Sequence, residues 1–203
     1  MSDVPKSEAS KQRFFIALLL PEPIEAGIDR IRQDFRDRFQ SRAALNSPPH
    51  ITLQPPFEFP LDGSTEDVST LTKHLEEFAS SRYSVPITLS GFSAFAPSVI
   101  YVAVKSPELL TMQTALAKHL ETTMNLVDLQ AKTRAFVPHV TVASRDLGEQ
   151  NFKLAWAEFE HKSIRYDFIS DRITLLGYEE QKSIAHADFP FITALQNDKS
   201  ARE

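Results

Sequence analysis

The chain has 203 residues, 42% apolar and 24% charged, which is the ordinary composition of a soluble globular protein. It contains no cysteine, and this excludes disulfides, thiol catalysis, thiolate zinc sites and iron–sulfur clusters. The formal net charge of −5 argues against a protein that wraps long nucleic acid, because such proteins present a strongly basic face, but it leaves room for a site that holds one phosphate or one RNA end.

The two ends of the chain are polar, and no segment has the length and apolar character of a membrane span. The N-terminal residues also lack the apolar run of a signal peptide. We therefore expect a cytoplasmic protein without a membrane partner. Residues 1–12 and 196–203 are predicted to be disordered tails, and residues 13–195 to form one domain.

The first half of the domain, residues 13–98, begins with an apolar run at residues 14–20 that is short enough for a buried strand. Pro21 and Pro23 then mark the start of a helix. The apolar face of this helix carries Ile24, Ile28, Ile31, Phe35 and Phe39, with Asp and Arg residues on the opposite face.

A connection over residues 38–49, with room for a short strand, leads to a strand that begins at His50. Pro55-Pro56 is expected to end that strand. Asp62-Gly63-Ser64 is a predicted turn, and a second amphipathic helix follows it. The apolar residues of this helix are Val68, Leu71, Leu75 and Phe78. Val85–Phe95 is predicted to be a third strand.

The second half, residues 99–191, shows a similar order of elements. Strands are predicted at residues 99–104, 165–170, 173–178 and 184–191. Two helices are predicted, the first with inner residues Leu109, Met112, Leu116 and Leu120 and the second with Phe152, Ala155, Trp156 and Phe159. Between them, a polar connection that holds Lys132 and Arg134 leads to a strand at His139.

Two motifs occur twice at nearly the same separation. Pro49-His50-Ile51-Thr52-Leu53 recurs as Pro138-His139-Val140-Thr141-Val142, with 89 residues between the histidines (139 minus 50). Ile87-Thr88-Leu89-Ser90-Gly91-Phe92 recurs as Ile173-Thr174-Leu175-Leu176-Gly177-Tyr178, 86 residues later (173 minus 87). Because two independent motifs repeat at almost one period, we infer an internal duplication.

Strand alternation places His50 and Thr52 on one face of their strand, and likewise His139 and Thr141 on theirs. Halves of a duplicated fold commonly pack about a pseudo-twofold axis, so the two strands can face each other across a cleft. One neutral and one protonated imidazole form a general-base and general-acid pair near neutral pH. The threonine hydroxyls can donate to phosphoryl oxygens. Such a site suits the opening of a phosphodiester without a metal.

These motifs resemble those of the 2H phosphoesterase superfamily, which includes RNA 2′,3′-cyclic phosphodiesterases and proteins called 2′-5′ RNA ligases. The resemblance covers roughly residues 13–191. It implies an α+β, bilobal, internally duplicated fold, with two largely antiparallel β-sheets, helices packed outside and a cleft between the lobes. It also implies hydrolysis of cyclic phosphodiesters at nucleotide or RNA ends, with His50 and His139 catalytic and Thr52 and Thr141 binding the phosphate.

The chain departs from the family pattern at one position. Many RNA-ligase-like members carry an Arg five residues after the second His, whereas this chain has Ser144 there and Arg145 next. Phe92, Tyr178 and Arg134 are further candidates for base stacking or phosphate contact, although aromatic residues of this kind more often belong to a core and loop cations are more often solvated.

The remaining histidines, His74, His119, His161 and His186, have no repeated partner and are expected at the surface or its boundary. Neither motif has Asp or Glu at metal-ligand spacing, so we expect no metal and no cofactor. We expect a monomer that acts on a nucleotide or RNA terminus with a cyclic phosphate. Two alternatives stay open, a nucleotide-binding module without turnover and 2′-5′ RNA ligation at the same site.

Overall fold

The computed structural model describes residues 11–60, 68–128 and 134–192. The strands in these ranges are β1 (Lys11–Leu19), β2 (His50–Pro60), β3 (Val85–Phe95), β4 (Val99–Lys105), β5 (His139–Ala143), β6 (Arg165–Ser170), β7 (Arg172–Glu179) and β8 (Lys182–Pro190). The helices are α1 (Glu22–Phe39), α2 (Val68–Ala79), α3 (Pro107–Met124) and α4 (Glu149–Phe159). Every strand and helix predicted from the periodicity is therefore present, and the α+β fold class is confirmed.

The strands form two antiparallel sheets of four strands each. The first sheet has the order β2-β1-β7-β8 and the second has the order β5-β4-β3-β6. The two orders match strand by strand, since β2 corresponds to β5, β1 to β4, β7 to β3 and β8 to β6. The strands that carry the repeated Ile-Thr-Leu-x-Gly motif change places between the sheets. Strand β3, from the first half of the chain, joins the second sheet, and β7, from the second half, joins the first. Each sheet is therefore built from both halves of the duplicated chain.

The helices cover one face of each sheet. Helix α1 packs against β5 and α4, and α4 also contacts β4, whereas α2 packs against β8 and α3, and α3 contacts β2 and β3. One connected hydrophobic core joins the inner faces of the helices to alternate residues of both sheets. The other face of each sheet is left for the polar residues of the two repeated motifs. None of the helices in the described ranges has the length and hydropathy to cross a membrane.

Local sequence explains how the long helices begin and end. The hydroxyl of Ser106 caps α3 by accepting the backbone N–H of Leu109 at 3.1 Å, and Pro107 occupies the first turn, where no N–H is needed. Gln40 ends α1 and Asn125 ends α3, both in the left-handed conformation with φ of 59° and 51°. The matching ends reflect the duplication, because α1 and α3 occupy equivalent places in the two halves.

The structure differs from the sequence-based expectations at three places. Strand β2 continues through Pro55 and Pro56 to Pro60, because β2 is an edge strand and its pairing with β1 is irregular near these prolines. The connection before His50 contains a 3₁₀ turn, Ala43–Asn46, in place of a short strand. Strand β1 begins at Lys11, inside the predicted N-terminal tail.

Several predicted features lie outside the described residues. They are the turn at Asp62-Gly63-Ser64, the cation Lys132, residues 1–10 and residues 193–203.

Candidate active site

The first motif lies on the edge of the first sheet, next to the central strand β1. His50 is paired with Leu19, and Thr52 is paired with Ala17. Residues directly opposite each other in an antiparallel pair point to the same face. Ile51 and Leu53, with 0% and 2% of their surface exposed, point the other way into the helix-covered core. His50 and Thr52 therefore share the face that the helices leave free.

The second motif has the equivalent place in the second sheet. His139 is paired with Ala103 and Thr141 with Tyr101 on β4. Val140 and Val142, both fully buried, anchor β5 in the core. Strands β2 and β5 are the edge strands of their sheets, and they contact each other where the two sheets meet. The structure thus brings the two motifs together from different sheets.

Each imidazole ring is held by an equivalent hydrogen bond between its Nδ1 atom and a backbone carbonyl oxygen two residues earlier in the chain. Nδ1 of His50 lies 2.7 Å from the carbonyl oxygen of Pro48, and Nδ1 of His139 lies 2.7 Å from the carbonyl oxygen of Val137. Because a carbonyl oxygen only accepts, each Nδ1 must carry the proton and donate it. The Nε2 atom of each neutral ring is then left with its lone pair. In both motifs the residue before the histidine is a proline, whose fixed φ holds the accepting carbonyl in place.

Burial lowers the pKa of both histidines. It lowers the pKa of His50 to about 4, the positive charges of Arg32 and of a protonated His139 act in the same direction, and the hydrogen bond to Pro48 opposes them. Burial also lowers the pKa of His139, against the hydrogen bond to Val137. Both rings are therefore neutral at pH 7 in the unliganded protein. The effect of His139 on His50 also shows that the two rings lie within electrostatic reach of each other.

An aromatic series extends from His50 across the open face of the first sheet. The ring of Phe15 lies 5.0 Å from the ring of His50, and the ring of Tyr178 lies 5.5 Å from that of Phe15, measured between centroids. The guanidinium of Arg13 lies 5.1 Å above the ring of Tyr178. Ala17, between Phe15 and Leu19 on β1, has no side chain large enough to separate Phe15 from His50. This series supports one side of the His50 ring with apolar contacts.

The second sheet has an aromatic group of its own beside His139. The ring of Tyr101 lies 5.0 Å from the ring of His139, and the ring of Phe95 lies 5.2 Å from it. Phe95 and Tyr101 are themselves 4.5 Å apart. Tyr101 is 6% exposed, whereas Phe95 is 39% exposed and so offers a free ring face next to the imidazole.

Phe92 and Tyr178, the aromatic residues that end the two copies of the Ile-Thr-Leu-x-Gly motif, have different positions. Between Leu89 and Phe92 the pairing of β3 with β4 is interrupted by a bulge, and Gly91 there has a φ of 72°, which glycine adopts without strain. The extra residue turns Phe92 to the helix-covered face, where its ring lies 5.1 Å from that of Phe159. Phe92 is therefore not among the residues that the structure brings together at the motifs.

Strand β7 has no such bulge in its pairing with β1, where Gly177 lies opposite Phe14. A Cβ on Gly177 would come within 3.2 Å of the Phe14 ring, so glycine allows this close approach. Alternation then places Tyr178 on the same face as Leu176 and Phe15, which pack together. Tyr178 consequently lies in the aromatic series that leads to His50.

Comparison with known proteins shows the family to which this chain belongs. The family model described as "2'-5' RNA ligase superfamily" matches residues 20–182, which include both His-x-Thr motifs. The chain belongs to this superfamily. A protein of Geobacillus thermodenitrificans, named as a candidate phosphoesterase, is 30% identical over 159 residues, which are 77% of this chain and 84% of that protein. A similarly named protein of Bacillus licheniformis is 33% identical over 149 residues, 72% of this chain and 80% of that protein.

Solved structures show the same fold at low sequence identity. The structure of LigT of E. coli complexed with 3′-AMP has a TM-score of 0.61 and 18% identity, covering 90% of this chain and 99% of that chain. TT0787 of Thermus thermophilus has a TM-score of 0.59 and 15% identity, with the same coverage. These similarities concern the fold. Membership of the 2′-5′ RNA ligase superfamily and the names of the two bacterial relatives support phosphoesterase chemistry in general.

Cations near the motifs differ from those that the sequence suggests. Arg134 is exposed in a bend before β5, and Arg145 is exposed beyond the end of β5, with a left-handed φ of 56°. A buried cation, Arg32, instead lies beside the motifs, although its helix position was predicted to be on the polar face. The sequence does contain a signal for this placement. Arg32 lies four positions after Ile28 and three before Phe35, so helical spacing puts it on the apolar face of α1.

Other candidate functional groups lie elsewhere. His74 and His119 interact between α2 and α3, where Nε2 of His119 lies 3.0 Å from the carbonyl oxygen of His74. His161 is exposed, and His186 packs on Phe14. Within the described residues, no group of three or more His, Asp and Glu side chains is arranged to hold a metal ion.

Proposed function

We propose that this chain is a metal-independent phosphodiesterase that opens 2′,3′-cyclic phosphates at the ends of nucleotides or RNA. The observation that carries the proposal is the matched pair of imidazoles on the adjoining edge strands β2 and β5, each with its Nδ1 occupied by a backbone carbonyl and its Nε2 left to act on a substrate. Two such nitrogens can serve the attacking and the leaving oxygen of one phosphate. Superfamily membership supports the same chemistry.

His50 is assigned as the general base and His139 as the general acid. Burial lowers the pKa of both rings, and the positive charge of Arg32 lowers the pKa of His50 further. The negative charge of a bound phosphodiester raises the pKa of both rings, and His139 is the easier one to protonate. The acid form of His139 is therefore formed together with the substrate complex.

In the proposed step, Nε2 of His50 takes a proton from water while the water oxygen attacks phosphorus. The bond between phosphorus and one ribose oxygen breaks, and that oxygen receives the proton from Nε2 of His139. The products are a phosphate monoester and a free neighbouring hydroxyl. The hydroxyls of Thr52 and Thr141, on the same faces as the histidines, donate hydrogen bonds to the non-bridging oxygens as charge moves onto them.

The aromatic residues beyond the histidines suit the bases of the substrate. Tyr178, with Arg13 above its ring, and Phe95, with 39% of its surface exposed, lie at the outer ends of the two aromatic groups. Flat, partly exposed rings bind nucleobases by stacking regardless of sequence. The 3′-AMP in the structure of LigT, a protein of the same fold, supports a nucleotide as the ligand class.

The test is a panel of 2′,3′-cyclic nucleotides, oligonucleotides that end in a cyclic phosphate, and 2′-5′-linked dinucleotides, each incubated with the protein in EDTA. We expect hydrolysis of cyclic phosphates by the wild type, none by the double variant His50→Ala and His139→Ala, and wild-type rates for His161→Ala, whose side chain is 85% exposed. Tight binding of 3′-AMP with no turnover would identify a binding module. A joined RNA product from cyclic-phosphate and 5′-hydroxyl ends would identify a ligase.

A further inference from the structure

Arg32 is a buried cation on the face of α1 that otherwise carries apolar residues. Its side chain is 2% exposed, and its neighbours along the helix, Ile28 and Phe35, are fully buried. Moving a guanidinium out of water is costly, and an apolar side chain at such a position would pack without that cost. Burial accordingly lowers the pKa of Arg32 to about 10, which still leaves it fully charged at pH 7. A buried charge with this cost invites a functional explanation.

The guanidinium of Arg32 bridges the two chain segments that carry the motifs. Nε donates to the carbonyl oxygen of Thr141 at 3.1 Å, within the second motif. Nη1 donates to the carbonyl oxygen of Ser47 at 2.9 Å, three residues before His50. The hydroxyl of Ser183 on β8 donates a hydrogen bond to the hydroxyl of Ser47, which links Ser47 to the first sheet. One side chain of α1 therefore contacts β5 within the second motif and the segment that leads into the first motif.

Among the described strands, no ladder of backbone hydrogen bonds joins the two motifs. Strands β2 and β5 belong to different sheets, and neither sheet includes the other strand. The distance between the two imidazoles therefore depends on packing and on side-chain bridges between the sheets. A planar fork with several donors is well suited to hold two carbonyls at a fixed separation.

The charge of Arg32 is only partly neutralised by its surroundings. Its nearest carboxylate, Asp29 on the same helix, lies 3.4 Å away and is partly exposed, and Glu25 interacts at longer range. On the two sheets, the titratable group on which the charge of Arg32 acts is the imidazole of His50, and His50 in turn interacts electrostatically with His139. A positive charge fixed near the neutral ring of His50 favours an anion beside that ring.

We propose that Arg32 is a positioning residue that holds the two histidine motifs at the separation needed to act on one phosphate, and that its charge favours the anionic substrate. This inference rests on the proposed function, and it assigns a role to a residue that does not touch the substrate. It also explains why a cation lies within the apolar stripe of α1.

The test compares Arg32→Met, which removes both the fork and the charge, with Arg32→Lys, which keeps the charge. For a cyclic phosphate substrate we expect kcat of Arg32→Met to fall about 10²-fold, since a displacement of about 1 Å between reacting groups has an effect of that size. Arg32→Lys should recover about tenfold of this loss. Two controls on the same helix are Ile28→Ala, which lowers stability through a cavity, and Arg30→Met, which removes an exposed cation.

All rates are measured below the unfolding temperature of each variant. A kcat of Arg32→Met within about threefold of the wild type would overturn the proposal. It would also be overturned if Ile28→Ala, at equal or lower stability, lost as much kcat as Arg32→Met, because the effect would then be one of stability alone.

A second readout needs no turnover. The imidazole nitrogens of His50 and His139 are titrated by NMR in each folded variant. Because a nearby positive charge disfavours the imidazolium, the pKa of His50 should rise in Arg32→Met and remain low in Arg32→Lys, while Arg30→Met leaves both rings unchanged. If the wild type hydrolyses no cyclic phosphate, the proposed function fails, and this titration still decides the inference. If both imidazoles in Arg32→Met keep the chemical shifts and the pKa values of the wild type, the role proposed for Arg32 is refuted.

Discussion

His50 should make the folded protein lose stability on acidification. Its pKa is about 4 in the folded protein, first because of burial, and about 6.5 for an unperturbed histidine. Between these two pH values the unfolded chain binds a proton at this position that the folded chain does not. The free energy of unfolding must therefore fall as the pH drops through this window. The replacement His50→Gln keeps a donor for the Pro48 carbonyl but cannot titrate.

The size of this effect follows from the difference in pKa. One pKa unit corresponds to about 1.4 kcal/mol, so the full window is worth at most about 3.5 kcal/mol, and roughly 2.5 kcal/mol of it is lost by pH 4.5. That is a large share of the roughly 5–15 kcal/mol that stabilises an ordinary domain. Carboxylates that titrate in the same range act equally in the wild type and in His50→Gln, so their contribution cancels in the comparison.

Urea unfolding of the wild type, His50→Gln and His161→Gln at pH 7 and pH 4.5 measures the effect. Between pH 7 and pH 4.5, the free energy of unfolding of the wild type should fall by about 2–3 kcal/mol more than that of His50→Gln. His161 is 85% exposed, so His161→Gln should follow the wild type. If the wild type and His50→Gln lose the same free energy, His50 is not held neutral by its surroundings. The assignment of His50 as the general base would then lose its electrostatic reason.

The catalytic proposal makes three further predictions. His50→Ala and His139→Ala should each lower kcat about 10²- to 10⁴-fold while His161→Ala does not, and a single variant with near wild-type turnover of cyclic phosphates would contradict the two-histidine mechanism. Thr52→Val and Thr141→Val keep the side-chain shape but remove a donor, so kcat should fall about 10- to 10³-fold, whereas an unchanged kcat would remove the hydroxyls from the mechanism. Hydrolysis in steady-state assays should survive EDTA; loss of activity that a divalent ion restores would require a metal mechanism.

Local patterns in the sequence were sufficient to predict the elements and the two motifs. Alternation over Ile51 and Leu53, and over Val140 and Val142, indicates which face of each strand enters the core, because strand side chains have a period of two. Because His50 and His139 alternate with these apolar residues, their side chains point to the opposite face of each strand. The repeat of both motifs at nearly one period indicates a duplicated fold before any contact is known.

The sequence pattern was less informative where a bulge or an edge position changes the local rule. Phe92 and Tyr178 occupy the same place in a repeated motif, yet the bulge at Gly91 turns Phe92 into the core. Strand β7 has no such bulge in its pairing with β1, so Tyr178 stays on the open face. Pro55 and Pro56 are compatible with β2 only because that strand is at an edge. Pairing with a partner strand determines both outcomes, and the residue pattern of one strand does not report how that strand is paired.

The chain alone therefore determined the chemistry that is available, namely two imidazoles and two hydroxyls on strand faces opposite the core. Only the tertiary structure decided how these groups meet. The exchange of β3 and β7 between the sheets, the contact of the edge strands β2 and β5, and the bridge from Arg32 to Thr141 all join segments far apart in sequence. Periodicity reports which face of a segment is buried, whereas the partner of that face is selected by packing of the whole chain.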